Sequence, residues 1–590
     1  MASSAFDSAE HSLHGVKDKL GSSNRSYGSI EGERMQIVFA EAEDWRESQD
    51  ISSFSDYGFH HSDISEKQAP FSEYHQREQL QQLFSDNGLL DNLHYDISSP
   101  PFQVCLDEIT KFSRISTELQ EIIEARKDKP FHFSLTSLEL LRNYGSRFKR
   151  LRRDGELKPN TESKKAELST SETMRIASAK FIQSSSEAAE DVAQLGHPYS
   201  NFFSCLSEDE MRNVQLVKVL LAAAEKVGGQ QFDAASDLLD QCDELCCSTG
   251  NPVERVVYYF SEALREKVDR ETGRVSMKGL GRRKAILEVN EDILRQCLPI
   301  IAYHEQVPFC QIQQFSAIQT IVENVAEAKK VHVVDFSMLS GIQWTVLMQA
   351  LMARHECSLE LLKITAISTC LPQVIEDTSK RLENFARMLN MPFCFKIIML
   401  QDMLELKEDL FDLDEEESIV IYAQFLLNTM IPRPERLESI MKVIKKLNPC
   451  VMVVYEVESN HNSPAFVNRF TEALFYHSAY FDCLEECMGR DDENRTAVES
   501  LLFGQGIRIV LAAEGEERII RSVKFDVWRA FFSRFGMVEV DLGMASLYQA
   551  DLMVKKFRCE SSCTLDMNGK CLIIGWKGTP IHSLSAWRFK

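Results

Sequence analysis

Near the middle of the chain stands the run Val331-His332-Val333-Val334-Asp335-Phe336, followed after a short gap by Gly341-Ile342-Gln343-Trp344. Three valines and a phenylalanine in so short a run are typical of a buried strand in a parallel sheet. The apolar residues that follow recur at helical spacing, at positions 344, 347, 348 and 351. The stretch therefore predicts a strand that turns into a helix, which is the opening unit of a doubly wound α/β sheet.

Apolar runs and helix-like stretches alternate through the second half of the chain. Strand candidates lie at 361–367, 393–398, 418–423 and 450–456, and then at 507–511, 537–542 and 572–576. This alternation predicts a mostly parallel sheet with helices on both faces, and hence the α/β fold class.

Three helices are predicted ahead of the sheet, in a cap subdomain at about 206–285. Ser207 and Glu210 form the pattern of a capping box, and Gly228-Gly229 ends the first helix. A second apolar stripe follows, and Asn251-Pro252 then opens the third helix as N-cap and first helical residue.

The composition limits the class of protein. The 590 residues carry a net charge of −23 and are 44% apolar, which is enough for a sizeable core. Because phosphate binding needs a basic surface, this charge argues against a protein that coats DNA through its overall field. The chain has 16 cysteines, but we find no apolar run typical of a signal peptide or a membrane span. We therefore predict that the thiols are reduced and that the protein does not contact a membrane.

Residues 1–205 are predicted to form a largely disordered N-terminal arm. A basic cluster at 147–165 interrupts it and consists of Arg147, Lys149, Arg150, Arg152, Arg153, Lys164 and Lys165. The polar spacer between Arg152-Arg153 and Lys164-Lys165 is typical of a bipartite nuclear import signal, which an import carrier binds. A solvated linker is the alternative interpretation.

Several ordered blocks resemble the GRAS family of plant transcriptional regulators. Residues 331–335 resemble its VHIID motif, residues 216–265 its first leucine-rich region, and residues 464–485 with Arg495 and Glu499 its PFYRE region. The residues that resemble its SAW region are Glu514-Gly515, Glu517-Arg518, Trp528, Trp576 and the terminal Ser585-Ala586-Trp587-Arg588-Phe589. The resemblance divides a domain at 206–590 into the helical cap, a leucine-rich and VHIID region (about 286–395), a PFYRE-like region (about 396–500) and a SAW region (about 501–590).

This resemblance implies a Rossmann-like, methyltransferase-like fold and a nuclear protein that acts mainly as a transcriptional co-regulator in plant signalling or development. The implied partners are other GRAS proteins, in homo- or heterodimers, and DNA-binding transcription factors. The arm contains no Asp-Glu-Leu-Leu-Ala segment, which disfavours the gibberellin-responsive DELLA branch.

Two alternative functions stay open. One is direct DNA binding in a groove of a GRAS dimer, for which the candidate positive charges are Arg282-Arg283-Lys284, Lys445-Lys446 and Lys555-Lys556. The other is a small-molecule-binding or methyltransferase-like enzyme. The net charge weighs against the first alternative.

Asp335 lies where a doubly wound sheet binds ligands, beyond the carboxyl end of a strand. Its carboxylate either fixes the strand–helix turn by accepting hydrogen bonds from loop amides or contacts a ligand. The loop at 336–341 has one glycine and a bulky Met-Leu pair, which disfavours tight cofactor binding. We predict no cofactor and no enzyme activity, because the sequence shows no nucleophile elbow or phosphate-binding loop.

The other motif residues are expected to serve the structure. His332 is interpreted as a packed or hydrogen-bonded core histidine, and Trp344 and Trp576 as core side chains. Arg495 and Glu499, four positions apart, predict an ion pair at the surface or an interface. Trp587 is expected to hold the terminal segment on the domain. Cysteine pairs at 242/246, 483/487 and 559/563 lack the histidines of a zinc finger, so no structural metal is predicted.

Overall fold

The computed structural model describes residues 168–186, 206–274, 297–338, 340–369 and 372–590. The basic cluster at 147–165, the basic run at 282–284 and most of the predicted N-terminal arm lie outside these residues. Those predictions therefore stay predictions.

Five parallel strands form the first part of the sheet. In spatial order they are β3 (Phe393–Met399), β2 (Leu361–Ser368), β1 (Lys330–Asp335), β4 (Glu417–Gln424) and β5 (Val451–Val457). The strand order reverses at β1, which pairs with β2 on one side and with β4 on the other. The predicted doubly wound, mostly parallel sheet is thus confirmed.

Antiparallel strands extend this sheet beyond β5. They are β6 (Met537–Val540), β7 (Cys563–Asn568), β8 (Cys571–Trp576) and β9 (Thr579–Phe589). β9 pairs with β5, and successive parts of β9 also pair with β8 and β6. The strand predicted at 537–542 ends earlier than expected, at Val540.

The helices are α1 (Thr170–Ser186), α2 (Glu208–Gly228), α3 (Phe232–Leu245), α4 (Pro252–Glu271), α5 (Cys297–Gln306), α6 (Pro308–Asn324), α7 (Ile342–Met352), α8 (Pro372–Met388), α9 (Pro434–Leu447), α10 (Phe466–Cys487), α11 (Glu493–Val498), α12 (Gln505–Leu511), α13 (Phe525–Arg534) and α14 (Met544–Lys556). A π-helical turn, Glu499–Gly504, joins α11 to α12, and a 3-10 turn, Glu560–Ser562, precedes β7. Across the described ranges, no helix combines the length and apolar character needed to cross a bilayer.

The prediction of a strand at 507–511 is wrong, because these residues form the end of α12. Ile507, Val510 and Leu511 are buried and are spaced to share one face of a short helix. A short apolar run does not by itself distinguish a buried strand from a buried helical turn.

Alternate side chains of β1 point into two separate cores. Val331 and Val333 belong to the core shared with the cap helices and α10, whereas Val334 belongs to the core beneath α9 and α13. Helices therefore cover both faces of the sheet, as the run of apolar residues in β1 requires.

The cap forms as its capping residues predict. The Ser207 side chain accepts a hydrogen bond from the Glu210 amide while the Glu210 carboxylate accepts one from the Ser207 amide. Asn251 caps α4 in the same way, with Pro252 in the first turn. These contacts satisfy amides at the helix starts and fix where α2 and α4 begin.

A packed helix, α1, lies within the segment that was predicted to be largely disordered. Met174, Ala177 and Phe181 are buried in the core shared with the cap. The Thr170 amide donates a 2.8 Å hydrogen bond to the carboxylate of Asp482 in α10. The packed fold therefore starts before the predicted domain boundary at 206.

Candidate functional site

The turn between β1 and α7 is built around the Asp335 carboxylate. Its Oδ1 accepts hydrogen bonds from the Ser337 amide (2.7 Å) and hydroxyl (3.2 Å), and its Oδ2 accepts one from the Trp344 indole (2.8 Å). Gly341, with a φ of 68°, precedes the helix in a left-handed conformation that favours glycine. Of the two roles considered for Asp335, the geometry supports the structural one.

Burial raises the pKa of Asp335 to about 6, although the bonds from Ser337 and Trp344 oppose that rise. Such a carboxyl group in an open cleft would be a candidate acid or base. Here the atoms that could contact a ligand are hydrogen-bonded to the protein's own chain.

The crevice between β1 and β4 is bridged by the protein itself. The Gln424 amide donates to the Ser337 hydroxyl (3.0 Å), and the Phe336 amide donates to the Tyr422 carbonyl (3.1 Å). The Tyr422 hydroxyl donates to the Gln424 side chain and accepts from Gln313 of α6. This junction lies where related folds bind ligands, but here hydrogen bonds cross it from strand to strand.

His332 is a hydrogen-bonded core histidine, as expected. Its Nδ1 lies 3.0 Å from Glu417 and its Nε2 lies 2.8 Å from the Thr365 hydroxyl. Burial lowers the pKa of His332 to about 4, so the ring is neutral at neutral pH. In the described part of the chain, no group of three or more His, Cys, Asp or Glu side chains is placed to hold a metal ion.

Arg495 and Glu499 form an ion pair, and of the two predicted locations, the surface or an interface, the structure excludes the surface. Both side chains are at most 1% exposed, and Arg495 Nη1 lies 3.2 Å from Glu499 Oε1. Arg255 of the cap helix α4 binds the same carboxylate, with its Nε 3.1 Å from each oxygen. Arg255 also contacts Glu485 of α10 at 2.9 Å.

We call Arg255, Glu485, Arg495 and Glu499 the ionic joint, because they connect the cap to α10 and α11. Sequence reasoning found the Arg495–Glu499 pair from its four-residue spacing but missed Arg255. The available signal was an arginine among the apolar residues of α4, because a buried charge needs a partner.

The tryptophans of the predicted motifs lie in the core. Trp344 and Trp576 are fully buried, and the Trp576 indole donates a 2.7 Å hydrogen bond to Asp482. Trp587 in β9 is also buried and packs on Phe532 of α13, with 4.7 Å between ring centroids, while its indole donates to Ser585. Trp528 is buried in the same core, and Gln343 is half-buried at the start of α7.

Ser585 and Ala586 pair with Val454 and Val453 of β5 in the antiparallel ladder. The terminal motif therefore completes the sheet, and Trp587 fixes it against α13. No exposed site is formed by these residues.

The basic pairs proposed for a DNA groove are divided between the two faces of the sheet. Lys446 in α9 lies 3.1 Å from Glu408, whereas Lys555 in α14 lies 2.6 Å from Asp551. α9 packs in one core and α14 in the other. Lys445-Lys446 and Lys555-Lys556 thus do not line one groove within a single protomer.

A sequence model described as the GRAS domain family matches residues 216–588. The chain belongs to the GRAS family. The match covers most of the cap, the β1 turn, the ionic joint and the terminal sheet, whereas α1 and the start of α2 precede it.

Known proteins show the same likeness. The chain is 30% identical to DELLA protein GAI1 of Vitis vinifera, over 65% of this chain and 63% of that protein, and 31% identical to DELLA protein RGL1 of Arabidopsis thaliana, over 65% and 71%. The crystal structure of SCL7 in Oryza sativa aligns with a TM-score of 0.55 and 26% identity, covering 63% of this chain and 99% of that one. The match to GAI1 therefore spans less than two thirds of that relative.

Proposed function

We propose that this protein is a nuclear transcriptional co-regulator that acts through protein–protein contacts of its GRAS domain. The match of the family across residues 216–588 carries the proposal, because the motif blocks that resemble plant transcriptional regulators lie in the same span. The burial of Asp335 adds support, since its carboxylate is bonded to Ser337 and Trp344 of the protein itself.

The partners that fit this role are DNA-binding transcription factors and other GRAS proteins, in homo- or heterodimers. The net charge of −23 favours recruitment to promoters by a bound factor over direct attachment to DNA phosphates. Plant signalling or development is the setting in which we expect this recruitment.

A tethering experiment tests the proposal. The full chain is fused to a heterologous DNA-binding domain and expressed in plant protoplasts with a reporter that carries the matching site. Expression should change relative to the DNA-binding domain alone, in either direction, because a co-regulator acts once it is brought to a promoter. An unchanged reporter, with the fusion shown to be folded and nuclear, contradicts the proposal.

Affinity capture separates co-regulation from direct DNA binding. The full chain is used as bait in nuclear extract and, in parallel, is mixed with naked DNA at two salt concentrations. We expect transcription factors or GRAS proteins to co-purify and naked DNA to be released. Retention of DNA that weakens steeply with salt would replace the proposal with direct binding, because phosphate contacts release counterions.

A further inference from the structure

Four cysteines from two distant parts of the chain lie together at the end of α10. Cys483 and Cys487 occupy successive turns of that helix, and Cys559 and Cys563 flank the 3-10 turn before β7. The Cys487 and Cys559 sulfurs are 3.3 Å apart, although the residues are 72 positions apart in sequence. The Cys483 and Cys487 sulfurs are 3.8 Å apart.

Hydrogen bonds around the sulfurs hold the two segments in this position. The Ser562 hydroxyl donates a 2.7 Å bond to Glu486 of α10. Lys577, in the turn between β8 and β9, lies 2.7 Å from Asp482 and 2.9 Å from Glu486. The approach of Cys487 to Cys559 is therefore set by contacts other than those of the sulfurs themselves.

The arrangement fits thiol chemistry better than metal binding. No trio of His, Cys, Asp or Glu side chains in the described ranges is placed to hold a metal ion. A disulfide has an S–S distance of about 2.05 Å, so the Cys487 and Cys559 sulfurs need to approach by only roughly 1.2 Å. Hydrogen bonds from the Cys487 and Cys563 thiols lower the pKa of Cys559, with Lys577 acting in the same direction, which favours the reactive thiolate.

We propose that Cys487 and Cys559 form a reversible disulfide when the protein meets a peroxide. Peroxide oxidises one of the two sulfurs to a sulfenic acid as its O–O bond breaks and water leaves. The second sulfur then attacks the sulfenic sulfur, the S–S bond forms, and a second water leaves. Two thiols and one hydrogen peroxide thus give one disulfide and two waters, and a dithiol reductant reverses the reaction.

Cys487 is half-buried and Cys559 is buried, so peroxide reaches the Cys559 thiolate from the side of Cys487, whose sulfur is 3.3 Å away. The bond would tie the end of α10 to the segment that leads into β7 and would close a long loop in the chain. Since such a cross-link restricts the unfolded chain, oxidation should raise the melting temperature by several degrees. In a reducing nucleus or cytosol the bond would form only transiently, as a response to oxidants.

The test uses the full chain, reduced and then treated with hydrogen peroxide. We expect two free thiols per chain to be lost, a higher melting temperature, and reversal of both by dithiothreitol. Trypsin places Cys483 and Cys487 in the peptide 470–490, and Cys559 and Cys563 in the peptide 559–570. The oxidised sample should therefore contain these two peptides linked.

Single cysteine substitutions show which two cysteines form the disulfide. Cys487→Ser and Cys559→Ser should each abolish the linked peptides, whereas the matched controls Cys483→Ser and Cys563→Ser, one helical turn or one short turn away, should retain them. Persistence of the link in both Cys487→Ser and Cys559→Ser overturns the assignment. So does co-purification of stoichiometric zinc with thiols that react only after chelation. Because the wild-type shift in melting temperature needs no variant, the proposal stays testable if a substitution impairs folding.

Discussion

At the scale of single residues, the ionic joint places two positive charges and one negative charge where 0–1% of each side chain is exposed. Burial raises the pKa of Glu499 even though Arg255 and Arg495 oppose that rise. Desolvation therefore outweighs the attraction of the two arginines. A buried pair of this kind is weak evidence for stability, and we infer that it specifies how the cap docks on α10 and α11.

Removing Glu499, the fully buried acid of the ionic joint, should destabilise the protein strongly. Glu499→Gln keeps the shape but leaves the buried Arg255 and Arg495 with the more exposed Glu485 as their one remaining counter-charge in the joint. We expect a loss of about 3 kcal/mol or more in the free energy of unfolding, measured by urea denaturation. The matched control is Asp551→Asn, which removes the exposed ion pair with Lys555 and should change stability by less than about 1 kcal/mol. Equal effects of the two substitutions would contradict the buried placement.

His582 should make the fold sensitive to acid. It lies between the hydroxyls of Tyr455 (2.5 Å) and Tyr480 (2.9 Å), and burial lowers its pKa to about 3. Because the unfolded chain protonates this histidine near pH 6.5 and the folded chain does not, its contribution is complete above pH 6.5 and is lost progressively towards pH 3.

His582→Gln isolates this contribution from those of the other buried histidines. The variant should be less stable than the wild type at pH 7.5, since the bonds to the tyrosines change. The difference in free energy of unfolding between wild type and variant should narrow by about 1 kcal/mol from pH 6 to pH 5, because only the wild type loses stability through this group. Urea unfolding at pH 6 and pH 5 measures this difference. A difference that stays constant would show that the ring titrates normally in the fold.

At the scale of elements, the sequence predicts best where a pattern is local. Neighbouring residues are enough to predict three elements: β1 from its valines, α2 from its capping box, and α4 from Asn251-Pro252. The segment at 507–511 was assigned wrongly because its apolar run is as compatible with a buried helical turn as with a strand. The Asp335 turn was predictable for the same local reason, whereas the bridge from Ser337 to Gln424 joins residues 87 positions apart.

The sequence did not predict α1, because this helix is stabilised by residues that are distant in the chain. Its sequence is rich in Ser and Thr, and the apolar residues at helical spacing are few, namely Met174, Ala177 and Phe181. The helix is nevertheless buried, with Thr170 bonded to Asp482, 312 positions away, and the Arg175 guanidinium bonded to Thr579. A pattern within the helix does not reveal such partners.

Deleting α1 should therefore weaken the GRAS domain. A fragment of residues 206–590 should melt at a lower temperature than a fragment of residues 166–590, because it exposes the core surface that Met174, Ala177 and Phe181 cover. In the full chain, Met174→Ala should lower the free energy of unfolding by about 2 kcal/mol or more. Equal melting temperatures for the two fragments would show that α1 packs without stabilising the domain.

At the scale of the whole molecule, the acidic chain and the basic cluster at 147–165 have opposite consequences. The net charge of −23 disfavours contact with DNA phosphates. A short basic segment in such a chain is instead complementary in charge to the acidic clefts of an import carrier. The nuclear role proposed above depends on entry into the nucleus, so the cluster is the place to test localisation.

Substituting the two basic pairs separates import from a solvated linker. The full chain fused to a fluorescent protein should lose nuclear accumulation several-fold when Arg152, Arg153, Lys164 and Lys165 are all replaced by Ala, and each pair alone should cause a partial loss. The control Lys445→Ala/Lys446→Ala removes the same kind of charge from the folded helix α9 and should leave localisation unchanged. If the fourfold variant still accumulates in the nucleus, the cluster is a linker, and entry depends on another signal or on a partner that carries the protein in.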